Sequence, residues 1–201
     1  MPFKLQIGQV ILDKNPSLRT VVTKIGHIDS TYRFYELECI AGEPKYETLV
    51  IEDKVKFKVD VSKMYWCSKL SCERNRIIDT FLKNGEVLCD MFCGVGPLSV
   101  KAAVKRPSLK VLANDLNPDG VEFLKQNIQI NKVSARVKPF NMDAREFVKM
   151  LVSRDSTEPE KKTVPDEMLK FDHCFMNLPM DAVEFLDVFV GLFNKADPLI
   201  W

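Results

Sequence analysis

The chain has 201 residues, 46% of them hydrophobic and 28% charged, which is the composition of a globular protein with one large domain or two small ones. The net charge of +1 indicates no particular partner, so a nucleic-acid ligand would have to bind a local basic patch. No apolar run reaches the roughly 18 residues that a membrane span needs. Residues 1–10 lack the apolar core of a secretory signal. We therefore expect no membrane association.

The six cysteines contain no Cys-x-x-Cys pair, and several of them lie in apolar, strand-like runs. Because only two histidines accompany them, the pattern argues against a zinc site. It is typical of buried, reduced thiols in an intracellular protein.

Residues 1 to about 60 alternate in hydrophobicity in the manner of β-structure. Turn signals lie at Asn15-Pro16, Asp29-Ser30 and Gly42-Glu43-Pro44. They separate stretches that we predict to be short antiparallel strands: GQVILDK, RTVVTKIGHI, YRFYELECIAGE and ETLVIEDKVKFKVDV. The pattern predicts a small, β-rich α+β domain over residues 1–60.

From Ser71 onward the pattern changes to strands alternating with helices. The predicted strands are EVLCDMF, KVLANDL, ARVKPFNMD and DHCFMNL. The predicted helices are CERNRIIDTFL, PLSVKAAVKR, PDGVEFLKQNIQINK, AREFVKMLV and MDAVEFLDVFVGLF. This alternation predicts a parallel, doubly wound α/β sheet within residues 61–201. The polar, charged and proline-containing residues 153–166 predict a surface insertion.

Ligands of open α/β sheets bind beyond the carboxyl ends of the strands, and the first such end carries the glycine loop DMFCGVGPLS. Gly94 and Gly96 allow backbone to approach a ligand closely. Pro97 suits the first turn of a helix whose free N–H groups attract an anion. The third glycine of a dinucleotide fingerprint is lacking near Ser99, so the loop alone is a weak signal.

The next three strands each end in a polar side chain. Asp115 can accept hydrogen bonds from two ribose hydroxyls, or it can cap the helix that starts near Pro118. Asp143 can accept from an exocyclic amine such as that of adenine, or it can cap the helix AREFVKM. Asn177 ends the fourth strand before a proline, which no ladder accommodates. Capping alone does not explain polar residues on successive strand ends.

The order of glycine loop, Asp115, Asp143 and Asn-Leu-Pro resembles the class I S-adenosylmethionine-dependent methyltransferases. Within that class, DMFCGVGPLS, NDLNP, NMDARE and MNLPMDAVEFL are similar to the archaeal and eukaryotic tRNA (guanine-37, N1)-methyltransferases. The upstream stretches ILDKNPSLRTVVTKIGHIDSTYRFYELECIAGE and YWCSKLSCERNRII are similar to that family too. The resemblance covers nearly the whole chain except the insertion. It implies a Rossmann-like domain that methylates N1 of the guanine 3′ of the anticodon.

The resemblance also implies which residues bind the cofactor. The expected ligands of S-adenosylmethionine are Asp90, Phe92, Gly94, Gly96, Asp115, Leu116, Asn117, Asp143, Ala144, Asn177 and Pro179. The tRNA anticodon loop is the expected partner, with Lys69 and Arg74 contacting RNA. We expect a monomer in the cytoplasm, with nuclear or mitochondrial pools as alternatives.

Guanine N1 carries a proton at neutral pH, so its methylation needs a general base and a donor for the charge that develops on O6. The resemblance implies Glu73 as the base, Arg33 as the donor and Asn177 as the amide that holds the guanine edge. Taken alone, Glu73 reads as an ordinary helix-face carboxylate and Arg33 as a solvated side chain. Tyr65 and Trp66 are either packing partners of the base or core aromatics.

The chain departs from the family in several places. Cys67 and Lys69 stand where the family usually has Asn and Arg, and Lys69 keeps the charge without the guanidinium fork. A small N-terminal domain that grips the tRNA elbow and the closing strands of a seven-stranded sheet are lacking. We therefore expect a piece of a longer protein. Two alternatives stay open: an aminocarboxypropyl transferase of wybutosine synthesis, whose fourth strand does not normally read Asn-Leu-Pro, and a non-catalytic cofactor- or RNA-binding remnant.

Overall fold

The computed structural model describes residues 2–26, 32, 35–152, 159, 164–165 and 170–191. By their contacts these residues divide into two compact units. The first comprises described residues of 1–50 and 58–66, and the second those of 51–57 and 67–201. Residues 51–57 therefore belong to the second unit, although the sequence places the boundary after residue 60.

The first unit contains one helix and two antiparallel β-ribbons. Its elements are α1 (Lys4–Lys14), β1 (Thr20–Ile25), β2 (Glu36–Gly42), β3 (Glu47–Glu52) and β4 (Val55–Asp60). β1 pairs with β2 across a bulge between Val21 and Val22, and β3 pairs with β4. The tip of the β3–β4 hairpin belongs to the second unit.

The prediction of a strand over GQVILDK was wrong, because these residues lie within α1. The less exposed side chains of α1 recur at helical spacing, and Gly8 is buried against the β1–β2 ribbon. A Cβ at Gly8 would lie 2.9 Å from the backbone oxygen of Ile40, so the helix packs on β2 through its backbone. Asn15 ends the helix, with its amide donating to the carbonyl of Ile11 at 2.8 Å.

The stretch ETLVIEDKVKFKVDV folds as two strands joined by a tight turn. Asp53 and Lys54 both have positive φ, at 50° and 70°. Two-residue hairpin loops favour this conformation, usually with Asn or Gly. Because neither residue is present here, the sequence carries no strong signal for the turn.

The second unit alternates helices and parallel strands. After a 3-10 helix at Ser68–Leu70, its elements are α2 (Ser71–Phe81), β5 (Val87–Asp90), α3 (Ser99–Lys105), β6 (Lys110–Asn114), α4 (Pro118–Ile130), β7 (Val137–Phe140), α5 (Ala144–Val152) and β8 (His173–Phe175). The strands are all parallel, in the order β7-β6-β5-β8. The predicted α/β fold with a parallel sheet is confirmed.

The core of this unit lies between the sheet and its helices. Cys89, Leu112 and Phe140 of the strands pack with Phe147 and Leu151 of α5, all buried. Because both faces of a parallel sheet are covered, its strands are apolar almost throughout.

The predicted final helix forms a 3-10 helix at Ala182–Phe189 rather than an α-helix. The predicted insertion, 153–166, lies largely outside the described residues. No helix in the described ranges has the length and apolarity to span a bilayer.

Candidate functional site

The carboxyl ends of the four parallel strands meet at one edge of the sheet. Backbone hydrogen bonds join each end to its neighbour: Met91 N to Phe175 O at 3.0 Å, Cys93 N to Asn114 O at 2.8 Å and Asp115 N to Phe140 O at 3.2 Å. The polar residues predicted from the sequence follow these ends, so parallel pairing brings their loops together.

The two glycines of the loop after β5 have different roles. Gly94 has φ 55°, and a Cβ there would meet nothing within 4 Å, so its surface is open to a ligand. Gly96 has φ 84°, and a Cβ there would lie 2.5 Å from Leu124 Cδ1. Gly96 is therefore needed for packing of the loop against α4, in addition to its conformation.

Asp115 ties the glycine loop to the loop after β6. Its Oδ2 accepts from Gly94 N at 2.7 Å, and its Oδ1 accepts from Asn117 N at 2.9 Å. The cap of α4 is Asn117, whose Oδ1 accepts from Asp119 N at 3.0 Å, so the alternative reading of Asp115 as that cap is wrong. Burial raises the pKa of Asp115, and backbone N–H donors of Asn117, Gly94 and Leu116 partly oppose the rise.

Asn114 is a buried amide that sequence reasoning missed. Its Nδ2 donates to Met91 O at 3.2 Å and Met142 O at 3.0 Å, and its Oδ1 accepts from Met142 N at 3.0 Å. It therefore joins the loops after β5 and β7 through the strand between them. The sequence does carry a signal for this role, since an amide ends the mostly apolar strand KVLAN. A buried amide at such a position must have hydrogen-bond partners.

Asp143 is exposed and caps α5. Its Oδ1 accepts from the backbone N–H groups of Arg145 at 2.9 Å and Glu146 at 3.3 Å. The capping alternative is thus observed. Oδ2 accepts no hydrogen bond from the described residues, so the predicted contact with an amine stays a prediction. Ala144 is buried at the start of α5, and Leu116 is an exposed apolar side chain beside Asp115.

A cleft with a cavity volume of about 90 Å³ opens between α2 and the ends of β5 and β8. It brings together the predicted residues Glu73, Asp90, Phe92 and Asn177, and Arg74 also lines it. Pro179 lines a second hollow, formed by residues 176–180 and 182–183, which shares Asn177 with the cleft. Arg33 lies outside the described residues.

Glu73 is an exposed carboxylate at the cleft. Arg76, one helical turn further on, donates to its two oxygens at 2.6 and 2.8 Å. The hydrogen bonds and charge of Arg76 lower the pKa of Glu73, so the carboxylate is ionised at neutral pH. An ionised carboxylate is the form that can accept a proton.

Asp90 is buried in the cleft wall. Its Oδ2 accepts from Ser99 Oγ at 2.6 Å, while Oδ1 has no hydrogen-bond partner within the described part of the chain. Burial raises the pKa of Asp90 to about 7, and the charge of Asp115 adds to the rise. The Ser99 hydroxyl and the backbone N–H of Phe92 oppose it. An unsatisfied buried acceptor fits a ligand that carries N–H donors.

The structure corrects the prediction that Arg74 contacts RNA. Its side chain is 9% exposed, and Nη2 donates to the buried carboxylate of Glu52 at 2.6 Å and to Cys67 O at 3.3 Å. A phosphate would have to displace Glu52, so Arg74 is a structural cation. Lys69, in contrast, is exposed.

Tyr65 is about half exposed within the first unit, with its ring centroid 6.2 Å from that of Tyr35. Lys24 Nζ lies 3.5 Å from the centroid of the Tyr35 ring. Trp66 is half-buried. Among the described residues no group of His, Cys, Asp and Glu side chains could hold a metal ion.

A parallel sheet with a glycine loop after β5 and polar side chains after β6, β7 and β8 defines a Rossmann-like methyltransferase domain. Residues 48–197 match the model of the TRM5/TYW2 methyltransferase domain, and the chain belongs to this family. A tRNA (guanine(37)-N(1))-methyltransferase of Xenopus tropicalis is 46% identical over 195 residues, which cover 97% of this chain and 39% of the relative. The chain spans 39–51% of the length of the first curated relatives.

Solved structures of both branches of the family are similar to this chain. The complex of aTrm5 with tRNALeu has a TM-score of 0.75 at 29% identity, covering 94% of this chain and 50% of that one. M. jannaschii TYW2 in complex with AdoMet has a TM-score of 0.57 at 26% identity, covering 76% of this chain and 60% of that one. The similarity to the Trm5 structure is therefore the more extensive.

Proposed function

We propose that this chain is the catalytic part of a tRNA (guanine-37, N1)-methyltransferase that uses S-adenosylmethionine. One observation carries the proposal: an ionised carboxylate, Glu73, and an amide, Asn177, line the same cleft as the candidate cofactor residues Asp90 and Phe92. The names of the relatives and the greater similarity to Trm5 support this branch of the family. The chain acts as a monomer in the cytoplasm.

The residues at the strand ends fit the cofactor. The open surface at Gly94 permits close approach, and Asp115 presents its carboxylate beside the exposed Leu116. The unsatisfied Oδ1 of Asp90 suits the ammonium group of a methionine moiety. Asp143 offers Oδ2 to an exocyclic amine. When bound, S-adenosylmethionine supplies a methyl group activated by a sulfonium.

The chain's own residues make guanine N1 nucleophilic. Glu73 takes the N1 proton. General-base catalysis of this kind typically raises the reaction rate by about 10²–10⁴-fold. Asn177 holds the guanine edge, and Arg33 meets the charge that develops on O6. The strand β8 stops before Pro179 so that this amide stands at the sheet edge, facing a base extruded from the anticodon loop.

Lys69 contacts phosphates of the anticodon loop. It is exposed on the 3-10 helix that leads into α2, the helix that carries Glu73. RNA recognition commonly splays single-stranded bases out of loops, and the backbone then needs neutralising cations. The aTrm5 complex contains a tRNA, which supports the same class of partner here.

The direct test incubates the chain with methyl-labelled S-adenosylmethionine and tRNA transcripts that carry G37 or A37. Label should enter the G37 transcript only. Mass spectrometry of the nucleoside distinguishes a methyl group from an aminocarboxypropyl group. Transfer to A37, or transfer of the larger group, would refute the proposal.

Glu73→Gln tests the base. It should lower the single-turnover rate by about 10²-fold while cofactor affinity stays the same, because a general base stabilises the transition state and not the bound cofactor. Raising the pH should partly restore the rate, since solvent then deprotonates N1.

Glu122→Gln is the matched control, because Glu122 is also exposed and pairs with a cation three residues further on, Lys125. It should leave the rate unchanged. A parental rate for Glu73→Gln at neutral pH would remove Glu73 from the mechanism.

A further inference from the structure

Four charged side chains form a cluster at the tip of the β3–β4 hairpin: Glu52, Asp53, Arg74 and Lys101. Arg74 Nη2 lies 2.6 Å from Glu52 Oε1, and Lys101 Nζ lies 2.6 Å from Asp53 Oδ2 and 3.6 Å from Glu52 Oε2. The Lys101 side chain is 0% exposed and that of Glu52 is 5% exposed. We name this set the hairpin-tip cluster.

Stability alone is a poor explanation for such a cluster. Removing charges from water costs free energy that a buried ion pair rarely recovers in full, and apolar replacements are often neutral or stabilising. Buried ion pairs are, however, strongly directional, because each charge needs its partner at one distance and angle. The two cations and two carboxylates join the hairpin tip to α2 and α3. A role in fixing the relative positions of these three elements therefore explains the cluster better than stability does.

The hairpin-tip cluster holds the first turns of α2. Lys101 Nζ donates to Ser71 Oγ at 3.0 Å, and Arg74 is fixed by Glu52. Asn75 Nδ2 donates to Asp53 Oδ2 at 2.8 Å. Three of the first five residues of α2 are thus attached to α3 or to the hairpin tip. Glu73 lies between these points of attachment.

We propose that the hairpin-tip cluster is a positioning device for Glu73, and that Lys101 is its central positioning residue. This inference rests on the proposed function of Glu73 as the base. Lys101 does not line the cleft, so it acts by fixing the place and rotation of α2. Misplacement of a reacting group by about 1 Å can cost about 10²-fold in rate.

Lys101→Met is the test. The substitution keeps most of the length of the side chain and leaves the Glu52–Arg74 pair in place. It removes the contacts of Lys101 with Asp53, Ser71 and Glu52 Oε2, of which Asp53 is half exposed and can be solvated. The melting temperature should change little. The single-turnover rate at saturating tRNA and cofactor should fall about 10-fold or more, with the cofactor dissociation constant within about twofold of the parent. Lys125→Met, at an exposed ion pair of α4, is the control.

A double-mutant cycle shows whether Lys101 acts through Glu73. Adding Lys101→Met to Glu73→Gln should slow the reaction little further, because the contribution of Glu73 that Lys101 supports has already been removed. Two losses that multiply in full would overturn the proposal. A parental rate for Lys101→Met, in a protein where Glu73→Gln is slow, would also overturn it.

Hydrogen exchange gives a readout that does not depend on activity. Amides in the first turns of α2 should exchange faster in Lys101→Met, while those of α4 should stay unchanged. If Glu73→Gln proves as fast as the parent, the base assignment fails. Hydrogen exchange of α2 in Lys101→Met then tests whether the hairpin-tip cluster holds this helix. Unchanged exchange overturns that role, and faster exchange supports it. Should Lys101→Met not fold, Asp53→Asn at the half-exposed end carries the same tests, and parental exchange and rate would overturn the proposal.

Discussion

Individual residues at the strand ends combine burial with charge, and Asp90 does so most clearly. Its pKa is raised to about 7 from 3.8, chiefly by burial. The folded state therefore binds a proton between about pH 4 and pH 7 that the unfolded state has lost. The free energy of unfolding contributed by Asp90 is greatest below pH 4 and decreases as the pH rises to 7. The difference between these two pKa values corresponds to about 4 kcal/mol.

Asp90→Asn should abolish this pH dependence, because an amide stays neutral and can still accept from Ser99. Relative to the parent, the variant should gain stability on passing from pH 5 to pH 8, by a few kcal/mol at most. Urea denaturation at the two pH values measures the difference. An equal offset for Asp90→Asn at both pH values would contradict the raised pKa.

At the scale of elements, the packing of α1 depends on one glycine. Alanine at position 8 should gain about 1 kcal/mol in helix propensity. Its Cβ would lie 2.9 Å from Ile40 O, a backbone atom that cannot rotate away, and overpacking of this kind costs about 1–3 kcal/mol. We expect Gly8→Ala to be destabilising by about 1 kcal/mol in urea unfolding. Gln9→Ala, on the exposed side of α1, should be nearly neutral, and a stabilised Gly8→Ala would show that α1 packs less closely.

Two cations near the start of α2 are expected to have different roles. Lys69 is exposed and can contact a phosphate, whereas Arg74 is buried against Glu52. Lys69→Ala should reduce the slope of log affinity for tRNA against log salt by about 0.7–0.9, as one lost phosphate contact does. Fluorescence anisotropy across a salt series measures it. Arg74→Met should instead lower the free energy of unfolding by about 3 kcal/mol, because Glu52 then stays buried without its closest partner. A salt slope that is unchanged in Lys69→Ala would mean that RNA binds elsewhere.

At the scale of the whole molecule, cofactor binding should be confined to the second unit. S-adenosylmethionine at 100 times its dissociation constant should raise the free energy of unfolding by about 2.7 kcal/mol. Hydrogen exchange should slow in the loops after β5 and β6 and stay unchanged in the β1–β2 ribbon.

Asp115→Ala should weaken this binding by about 1–3 kcal/mol, because it removes a charged acceptor and loosens Gly94. Calorimetry measures the affinity, and Asp13→Ala in α1 is the control. Protection in the ribbon, or unchanged affinity for Asp115→Ala, would contradict the assignment.

The sequence by itself determined the order of strands and helices from Ser71 onward and the polar residues at their ends. Apolar runs, helical periodicity and glycine loops are local patterns, and parallel strands necessarily bring their carboxyl ends to one edge. The same local reasoning mistook α1 for a strand, because an apolar run of three residues suits either structure and only its packing on β2 decides.

Tertiary structure alone decided which charges are buried and what each one contacts. Arg74 reads as a basic surface residue until the hairpin tip brings Glu52 against it from 22 positions earlier. From the sequence, Asn114 is only the last residue of a strand. In the structure, backbone groups of the loops after β5 and β7 surround its amide. Asp115 can cap α4 by its position in the sequence, but the loop geometry makes Asn117 the cap. Side-chain partners distant in sequence carry no local signal, because burial and pairing arise only when the chain has folded.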